Sequence, residues 1–233
     1  LIVDPAYQRK KIGSIILENM ENRFADAGCK DVVITGGNYR FWSGIPLDLQ
    51  GAVNFFAKEG FVLNNKVNDL VCNIDEPSTS SRVLPEGYLA RNARMADIGA
   101  LFNFEQTEFP NWVSAMSLVV AHGDIENIIG IWHGEKIVGL VHTYTPNSNW
   151  RGPNVVWDAI LGVRLGGMAC LGIANAYRGK GLGSCLCKKA ITHIKEKGAR
   201  LCFIDWTTLT EFYQKSCNAY VWKTFLRGIK KLQ

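Results

Sequence analysis

Apolar residues recur along residues 86–233 with periods that alternate between those of strands and those of helices. Short apolar runs at 88–91, 126–132, 136–144, 167–174, 200–206 and 220–225 predict strands, and His133-Gly-Glu135 is a hairpin signal between the second and third of them. Helical spacing covers 97–108, 112–121 and 183–197, and Thr208-Leu-Thr-Glu211 predicts a capping box that opens a short fourth helix. The resulting order, βααβββαβαβ, is typical of an α+β domain built on one sheet.

The chain also resembles itself at a distance of 170 positions. The segment from Val3 to Ser14 aligns with Ile173 to Ser184, and the match continues without a gap to Ile34 over Ile204. A polar, proline-bounded stretch at 75–85 separates the copies and predicts a linker. We therefore expect the C-terminal half of one domain at 1–74, with extra loop residues within 36–50, and a complete domain at 86–233. Because the first copy lacks a front half, we do not expect Leu1 to be the natural start.

Composition places the chain among folded proteins and excludes some classes of site. Hydrophobic residues make up 47% and charged residues 20%, and the apolar runs are too short to span a bilayer. We expect a cytoplasmic protein with no membrane partner. The seven cysteines include no C-x-x-C pair, and Cys185 and Cys187 have no histidines near them at ligand spacing, so we expect reduced thiols and no metal site.

The segment with the clearest chemistry is Arg178-Gly-Lys-Gly-Leu-Gly183, between an apolar strand and an amphipathic helix. Its alternating glycines allow a tight turn that leaves backbone N–H groups free at a helix N-terminus, where the helix dipole favours anions. The spacing does not fit a Walker loop, because Lys180 is followed by glycine. It does not fit a dinucleotide-binding G-x-G-x-x-G either.

These residues match the [Q/R]-x-x-G-x-[G/A] signature, and the second half of the chain resembles the GNAT acetyltransferase family. The resemblance implies a mixed, mostly antiparallel sheet flanked by helices, with acetyl-CoA as co-substrate. It implies that the loop holds the diphosphate and that the preceding strand offers its main chain to the pantetheine arm and thioester. The loop set is Arg178, Gly179, Lys180, Gly181, Leu182, Gly183 and Ser184, and the strand set is Leu171, Gly172, Ile173 and Ala174.

The resemblance also implies roles for side chains outside the loop. Tyr213 occupies the place of a tyrosine whose hydroxyl protonates the departing thiolate, and its alternative role is that of a core aromatic beside Phe212. One of four carboxylates is expected to act as general base, in some cases through water: Asp205, Asp158, Glu105 or Glu108. Each of them also has an ordinary role as a surface or capping residue.

The first copy departs from the signature at three positions. Arg9 and Lys11 replace the glycines that match Gly179 and Gly181, and Phe56 stands in the place of Tyr213. A side chain at position 11 is expected to crowd the anion site, and phenylalanine has no proton to donate. We therefore expect a structural or regulatory role for this copy, although Gln8 and Gly13 leave residual CoA binding open.

Further resemblance concerns the acceptor. Phe41-Trp-Ser-Gly-Ile-Pro-Leu-Asp-Leu and Ile204-Asp-Trp-Thr are similar to segments of a bacterial group that includes glucosamine and glucosaminide N-acetyltransferases, some fused to cell-wall hexosaminidases. This implies a small-molecule amine as partner, with Trp112, Trp150 and Trp157 as candidate sugar-stacking faces. The sequence leaves open whether the protein forms a homodimer.

Two other functions compete with catalysis. A CoA-binding sensor or scaffold would keep the loop and would not need Tyr213. A nucleic-acid module would use Lys188, Lys189, Lys195, Lys197 and Arg200, but these share a helix region with core residues and lack interleaved aromatics, so no nucleic-acid partner is expected.

Overall fold

The computed structural model describes residues 1–34, 42–76, 81–152, 157–162 and 164–232. The helices are α1 (Ile12–Asp26), α2 (Gln50–Lys58), α3 (Ile98–Glu108), α4 (Val113–Ala121), α5 (Asp158–Leu161), α6 (Leu182–Glu196) and α7 (Thr210–Cys217). The strands are β1 (Asp31–Ile34), β2 (Ile45–Pro46), β3 (Val62–Asn73), β4 (Tyr88–Asn92), β5 (Ile128–His133), β6 (Lys136–Tyr144), β7 (Leu165–Ile173), β8 (Leu201–Thr207) and β9 (Tyr220–Lys231). Parts of the predicted loop insertion at 36–50 and of the linker at 75–85 lie outside these ranges.

The described residues form two compact units whose limits differ from the predicted domains. One unit holds residues 1–34, 42–67 and 224–232, and the other holds the described residues from 68 to 223. The end of β3 pairs with β8 in the second unit, while the end of β9 pairs with β1 in the first. Backbone hydrogen bonding along these two long strands, rather than the limits of the sequence repeat, therefore decides which residues pack together.

The second unit is built on a mostly antiparallel sheet. Strands β4, β5, β6 and β7 pair in chain order as antiparallel neighbours. Strand β8 then joins β7 in parallel, and residues 68–73 of β3 join β8 antiparallel. A parallel pair requires a crossover connection, and α6 supplies it between β7 and β8. This is the mixed sheet flanked by helices that the sequence predicts.

Helices cover both faces of this sheet. The buried face of α6, formed by Leu186, Ala190 and Ile194, packs with Val138, Val141 and Met168 of the sheet. Residues next to each other in a strand point to opposite faces. His142 therefore lies on the other face, where it contacts Glu105 of α3.

Most predicted elements of residues 86–233 agree with the structure to within a few residues at each end, except that β9 continues well past 225. The predicted capping box is wrong. Helix α7 begins at Thr210 with Leu209 as its N-cap, and no side chain caps it. The hydroxyl of Thr207 instead accepts a hydrogen bond from the N–H of Leu209 at 2.9 Å, which turns the chain one residue before the predicted cap.

The first unit repeats the order of elements that follows β7 in the second. Helices α1 and α6 both have 15 residues, and strands β3 and β9 both have 12. Arg9 and Lys11 have φ values of 64° and 61°, close to the 79° and 78° of Gly179 and Gly181. The turn before α1 therefore keeps the left-handed backbone conformation although it has lost the glycines that adopt it without strain.

Phe56 is a partly buried aromatic of the first unit. Its ring lies edge-on to Phe55 and Phe61, with centroid distances of 5.1 and 5.4 Å. The first copy therefore has a packing ring without a hydroxyl at the position that matches Tyr213.

His193 of α6 gives the second unit a testable dependence on pH. The ring is buried, its Nε2 lies 3.1 Å from Asn127 Oδ1, and its Nδ1 lies 3.1 Å from Asn92 Nδ2, contacts that suit a neutral imidazole with the proton on Nε2. Burial lowers the pKa of His193 below its ordinary value. As the pH falls through about 6.5 the unfolded chain binds a proton here before the folded protein does, so the free energy of unfolding decreases.

We expect His193→Gln to reduce this acid sensitivity. Urea unfolding at pH 7 and pH 5 checks it: the loss of stability between the two pH values is expected to be smaller in the variant than in the wild type. An identical loss in both proteins would contradict the assignment.

Candidate active site

The glycine loop forms a turn with free N–H groups at the start of α6. Gly179 and Gly181 both have left-handed φ values, and Gly181 is the N-cap residue without a side-chain cap. At the start of α6, the N–H of Cys185 donates to Gly181 O at 3.3 Å, and it is the first N–H after residue 178 with a backbone acceptor among the described residues. Within the described residues, the N–H groups of 179–184 therefore remain available to an anion.

Two long side chains brace this turn from behind. Arg178 Nε donates to the carbonyl of Ile173 at 3.1 Å, which ties the loop to the end of β7. Lys180 Nζ donates to the hydroxyl of Tyr88 at 3.2 Å and lies over the Tyr177 ring. Both cations thus add positive charge close to the turn while their contacts fix its shape.

Next to the loop, β7 and β8 separate. Their parallel pairing runs from Leu165–Leu201 to Met168–Ile204, but β7 continues to Ile173 and β8 to Thr207. Paired residues 165–168 are buried, whereas 169–171 and 205–206 are partly exposed. The main chain of β7 beyond Met168 is therefore not paired with β8, and this stretch includes Leu171 of the predicted thioester edge.

Each strand carries an irregularity at this point. In β7 the register with β6 shifts between His142–Ala169 and Leu140–Gly172, and Cys170 has a φ of 52°. In β8 the register with β3 shifts near Trp206, whose φ is 44° and whose N–H donates to Asp69 Oδ1 at 2.9 Å. Bulges bend strands and end their pairing, which accounts for the opening between β7 and β8.

Tyr213 of α7 lies in the core cluster on the α6 side of the sheet. It retains 6% of its surface, and its cluster includes Ile173 and Leu182 from the ends of β7 and the loop. Burial raises the pKa of Tyr213 well above its usual value, with nearby Cys187, Cys217 and Asp205 adding to the effect. The phenol therefore stays protonated at neutral pH and can donate a proton.

On the face of the sheet opposite α6, two aromatic rings cover Gly172. Phe109 and Trp112 stack with centroids 4.2 Å apart and planes 11° from parallel. A Cβ at position 172 would come within 2.6 Å of Phe109 and 2.7 Å of Trp112, so this strand position requires glycine. Of the three tryptophans predicted as sugar faces, the structure brings Trp112 to the thioester edge.

The other two tryptophans are used elsewhere. Trp157 is buried and packs against Trp222 at 5.2 Å, so its predicted role as a sugar face is wrong. The Trp150 ring stacks on His122, and the backbone N–H of Trp150 donates to Asp124 Oδ2 at 2.7 Å.

The four candidate carboxylates occupy different environments. Glu108 Oε2 accepts a hydrogen bond from the N–H of Asn175 at 3.1 Å, which links α3 to the end of β7. Asp158 is held by Arg151 at 2.6 and 3.1 Å, and Arg151 also donates to Leu165 O at the start of β7. The structure therefore places Asp158 at the opposite end of β7 from the glycine loop, where its carboxylate serves an ion pair. Asp205 lies in the partly exposed end of β8, among the charges that act on Tyr213.

Glu105 is fully buried and paired with His142. Its Oε1 lies 2.8 Å from His142 Nε2, and neither side chain has any exposed surface. His142 has no place among the residues predicted from the sequence. Two signals in the sequence could have found the pair. His142 is a histidine within the apolar run 136–144, and the spacing of Glu105 from Leu101 and Phe104 places it on the buried face of α3.

Three of the basic residues considered for nucleic acid are paired within the chain. Lys195 and Arg200 contact Asp75, and Lys197 contacts Glu126.

In the described ranges, no cluster of histidine, cysteine and acidic residues has the arrangement of a metal site. None of the helices described is both long and apolar enough to cross a membrane.

The model of the acetyltransferase (GNAT) family matches residues 98–220, more than half of the chain. The chain therefore belongs to the GNAT family, in agreement with the mostly antiparallel sheet flanked by helices. A search of curated proteins gave no significant match.

Among solved structures, the chain is similar to the GCN5-related glucosamine N-acetyltransferase region of a fungal multi-domain GH3 β-N-acetylglucosaminidase. The two share 26% identity with a TM-score of 0.92, over 99% of this chain and 29% of that chain. The chain thus spans less than a third of that protein, which is fungal where the sequence resemblance suggested a bacterial group.

Two more distant structures share the fold. A GCN5-related N-acetyltransferase from Sphaerobacter thermophilus is 15% identical, with a TM-score of 0.73 over 99% of this chain and 71% of that one. A tandem GNAT protein from the clavulanic acid biosynthesis pathway is 12% identical, with a TM-score of 0.63 over 100% of this chain and 74% of that one.

Proposed function

We propose that the protein transfers the acetyl group of acetyl-CoA to a primary amine by direct attack, with an amino sugar such as glucosamine or a glucosaminide as acceptor. One arrangement carries the proposal. The turn with free N–H groups at 179–184 is tied to Ile173 at the end of β7, whose main chain at Leu171 is not paired with β8, and Tyr213 lies in the same core cluster as Ile173. Diphosphate, thioester and leaving thiolate require these three groups in this order along one extended ligand.

The chemistry of the loop residues suits a CoA thioester. The turn before α6 offers consecutive N–H donors, and Arg178 and Lys180 keep positive charge beside it. The bound co-substrate would supply the activated acyl group. Leu171 and its neighbours would orient it through backbone hydrogen bonds, and Tyr213 would give its proton to the departing sulfur.

An amino sugar suits the other side of the strand. The stacked Phe109 and Trp112 present aromatic surface above Gly172, and sugars bind to such faces through their C–H groups. The glucosamine N-acetyltransferase activity named for the 26%-identical fungal region supports the same acceptor class.

Release of free thiol from acetyl-CoA tests the proposal against a panel of glucosamine, glucosaminides, aminoglycosides, polyamines and peptides with a free N-terminus. We expect turnover with amino sugars above the rate of acetyl-CoA hydrolysis. Tight CoA binding in calorimetry without turnover on any amine would favour a CoA-binding sensor instead.

A further inference from the structure

The buried pair of Glu105 and His142 has more polar atoms than the structure satisfies. Glu105 Oε2 and His142 Nδ1 are both buried, and neither has a hydrogen-bond partner among the described residues. A buried polar atom without a partner destabilises the folded protein. Two such atoms in one pair are an expensive way to pack a core, and they point to a ligand, a water or a proton that they serve.

The position of the pair links it to the thioester edge. His142 lies in register with Ala169, the residue before the bulge at Cys170. Glu105 lies one helical turn before Phe109, whose ring covers Gly172 on the far side of that bulge. Both residues are on the face of the sheet opposite α6, the face on which Phe109 and Trp112 stand.

The contact between the two side chains also sets which nitrogen is free. If Glu105 is ionised, its oxygens can only accept, and His142 then donates to it from Nε2. In the neutral imidazole the lone pair is then on Nδ1. A histidine held in one tautomer by a carboxylate is the arrangement of a general base with an orienting group.

We propose that His142, oriented by Glu105, accepts the proton that an ammonium acceptor must lose before it attacks the thioester. The inference rests on the proposed acetyl transfer and deepens it. It makes Glu105 a positioning residue and moves the basic role from the four carboxylates to a histidine.

The protons balance as follows. Because Nδ1 of His142 is buried, it takes one proton from R–NH₃⁺ through a water, which frees the nitrogen lone pair. The nitrogen bonds to the acetyl carbon, the carbon–sulfur bond breaks, and the thiolate takes the proton of Tyr213. The second nitrogen proton leaves as the amide forms and restores Tyr213 through solvent, and His142 releases its proton to water.

Two classes of amine distinguish proton removal from a structural role. Glucosamine is an ammonium ion at neutral pH, whereas an aryl amine or an O-alkyl hydroxylamine is already neutral. We expect His142→Gln to lower kcat about 100-fold with glucosamine and to leave kcat with the neutral amines nearly unchanged. Glu105→Gln is expected to show the same preference to a smaller degree, because it leaves the base and removes its orientation.

His193→Gln is the matched control, since it also removes a buried histidine and the contacts of His193 are with Asn127 and Asn92 on the α6 face. We expect it to affect both amine classes equally. If the wild type is active and His142→Gln lowers kcat equally with both amine classes, the proposed base is overturned. A wild type that acetylates neither class would overturn the acetyl transfer itself.

A spectrum of the free protein gives a second readout that needs neither activity nor a variant. With ¹⁵N-labelled histidine, we expect His142 to be protonated at Nε2 and bare at Nδ1, and the Nδ1 resonance to move when glucosamine is added with CoA. A proton on Nδ1 with a bare Nε2 would overturn the assignment, even if His142→Gln did not fold.

Discussion

Tyr213→Phe is expected to lower kcat for acetyl transfer about 100-fold, in the range lost when a positioned acid is removed. The affinity for CoA should stay close to that of the wild type. The variant loses only a hydroxyl, so the packing of the ring in the core cluster of the second unit is kept. Stopped-flow thiol release measures the first quantity and calorimetry with CoA the second.

Tyr220→Phe provides the control, because it removes the same group from an exposed side chain of β9. It should match the wild type. Equal turnover in Tyr213→Phe and the wild type would remove Tyr213 from the mechanism and leave it as a core aromatic.

The pH profile gives a related expectation. Burial raises the pKa of Tyr213 above its ordinary value of about 10. The protonated, proton-donating form therefore persists throughout neutral and mildly alkaline solution. We therefore expect that ionisation of Tyr213 does not lower the kcat of the wild type below about pH 10. A decrease in kcat that occurs below this pH in the wild type and is absent from Tyr213→Phe would contradict the expectation, because it would show that the phenol ionises more easily than its burial allows.

Gly181→Asp is expected to raise the KM for acetyl-CoA about 100-fold or more. A side chain at this N-cap position carries a Cβ at a φ of 78°, approaches Arg82 and places a carboxylate beside the predicted diphosphate. Loss of two charge-assisted hydrogen bonds at about 1.5 kcal/mol each corresponds to this change in affinity. Steady-state kinetics with varied acetyl-CoA provides the measurement.

Two further variants separate charge from backbone strain. Gly181→Asn has nearly the same shape without the charge and should fall between the wild type and Gly181→Asp. Gly198→Asp introduces the same residue at a φ of 94°, at the other end of α6, where nothing lies within 4 Å of the added Cβ. It should lose about 1 kcal/mol of stability and keep the KM. A normal KM in Gly181→Asp would mean that the diphosphate binds elsewhere.

Local features of the site were predictable because they depend on a few consecutive residues. Alternating glycines between an apolar run and a helical run require a left-handed turn at a helix start, and Gly179 and Gly181 adopt it. Tyr213 was placed by the resemblance to the GNAT family, whereas the helices and strands of residues 86–233 follow from their periods.

Features that depend on contacts between distant segments were not predictable in the same way. The short helix begins at Thr210 without the predicted cap, because Thr207 at the end of β8 takes the turn. Trp157 is buried against Trp222, although its polar, irregular sequence context suggested a pocket wall.

By itself, the sequence determined the order of elements, the glycine turn before α6 and the family, since each is encoded within a short window of residues. Only the tertiary structure decided that β3 and β9 end in different units, that bulges at Cys170 and Trp206 open the sheet, and that Glu105 meets His142. Glu105 and His142 are separated by 37 positions, and no local pattern specifies which buried acid will lie opposite which buried base. Packing of α3 on β6 makes that choice.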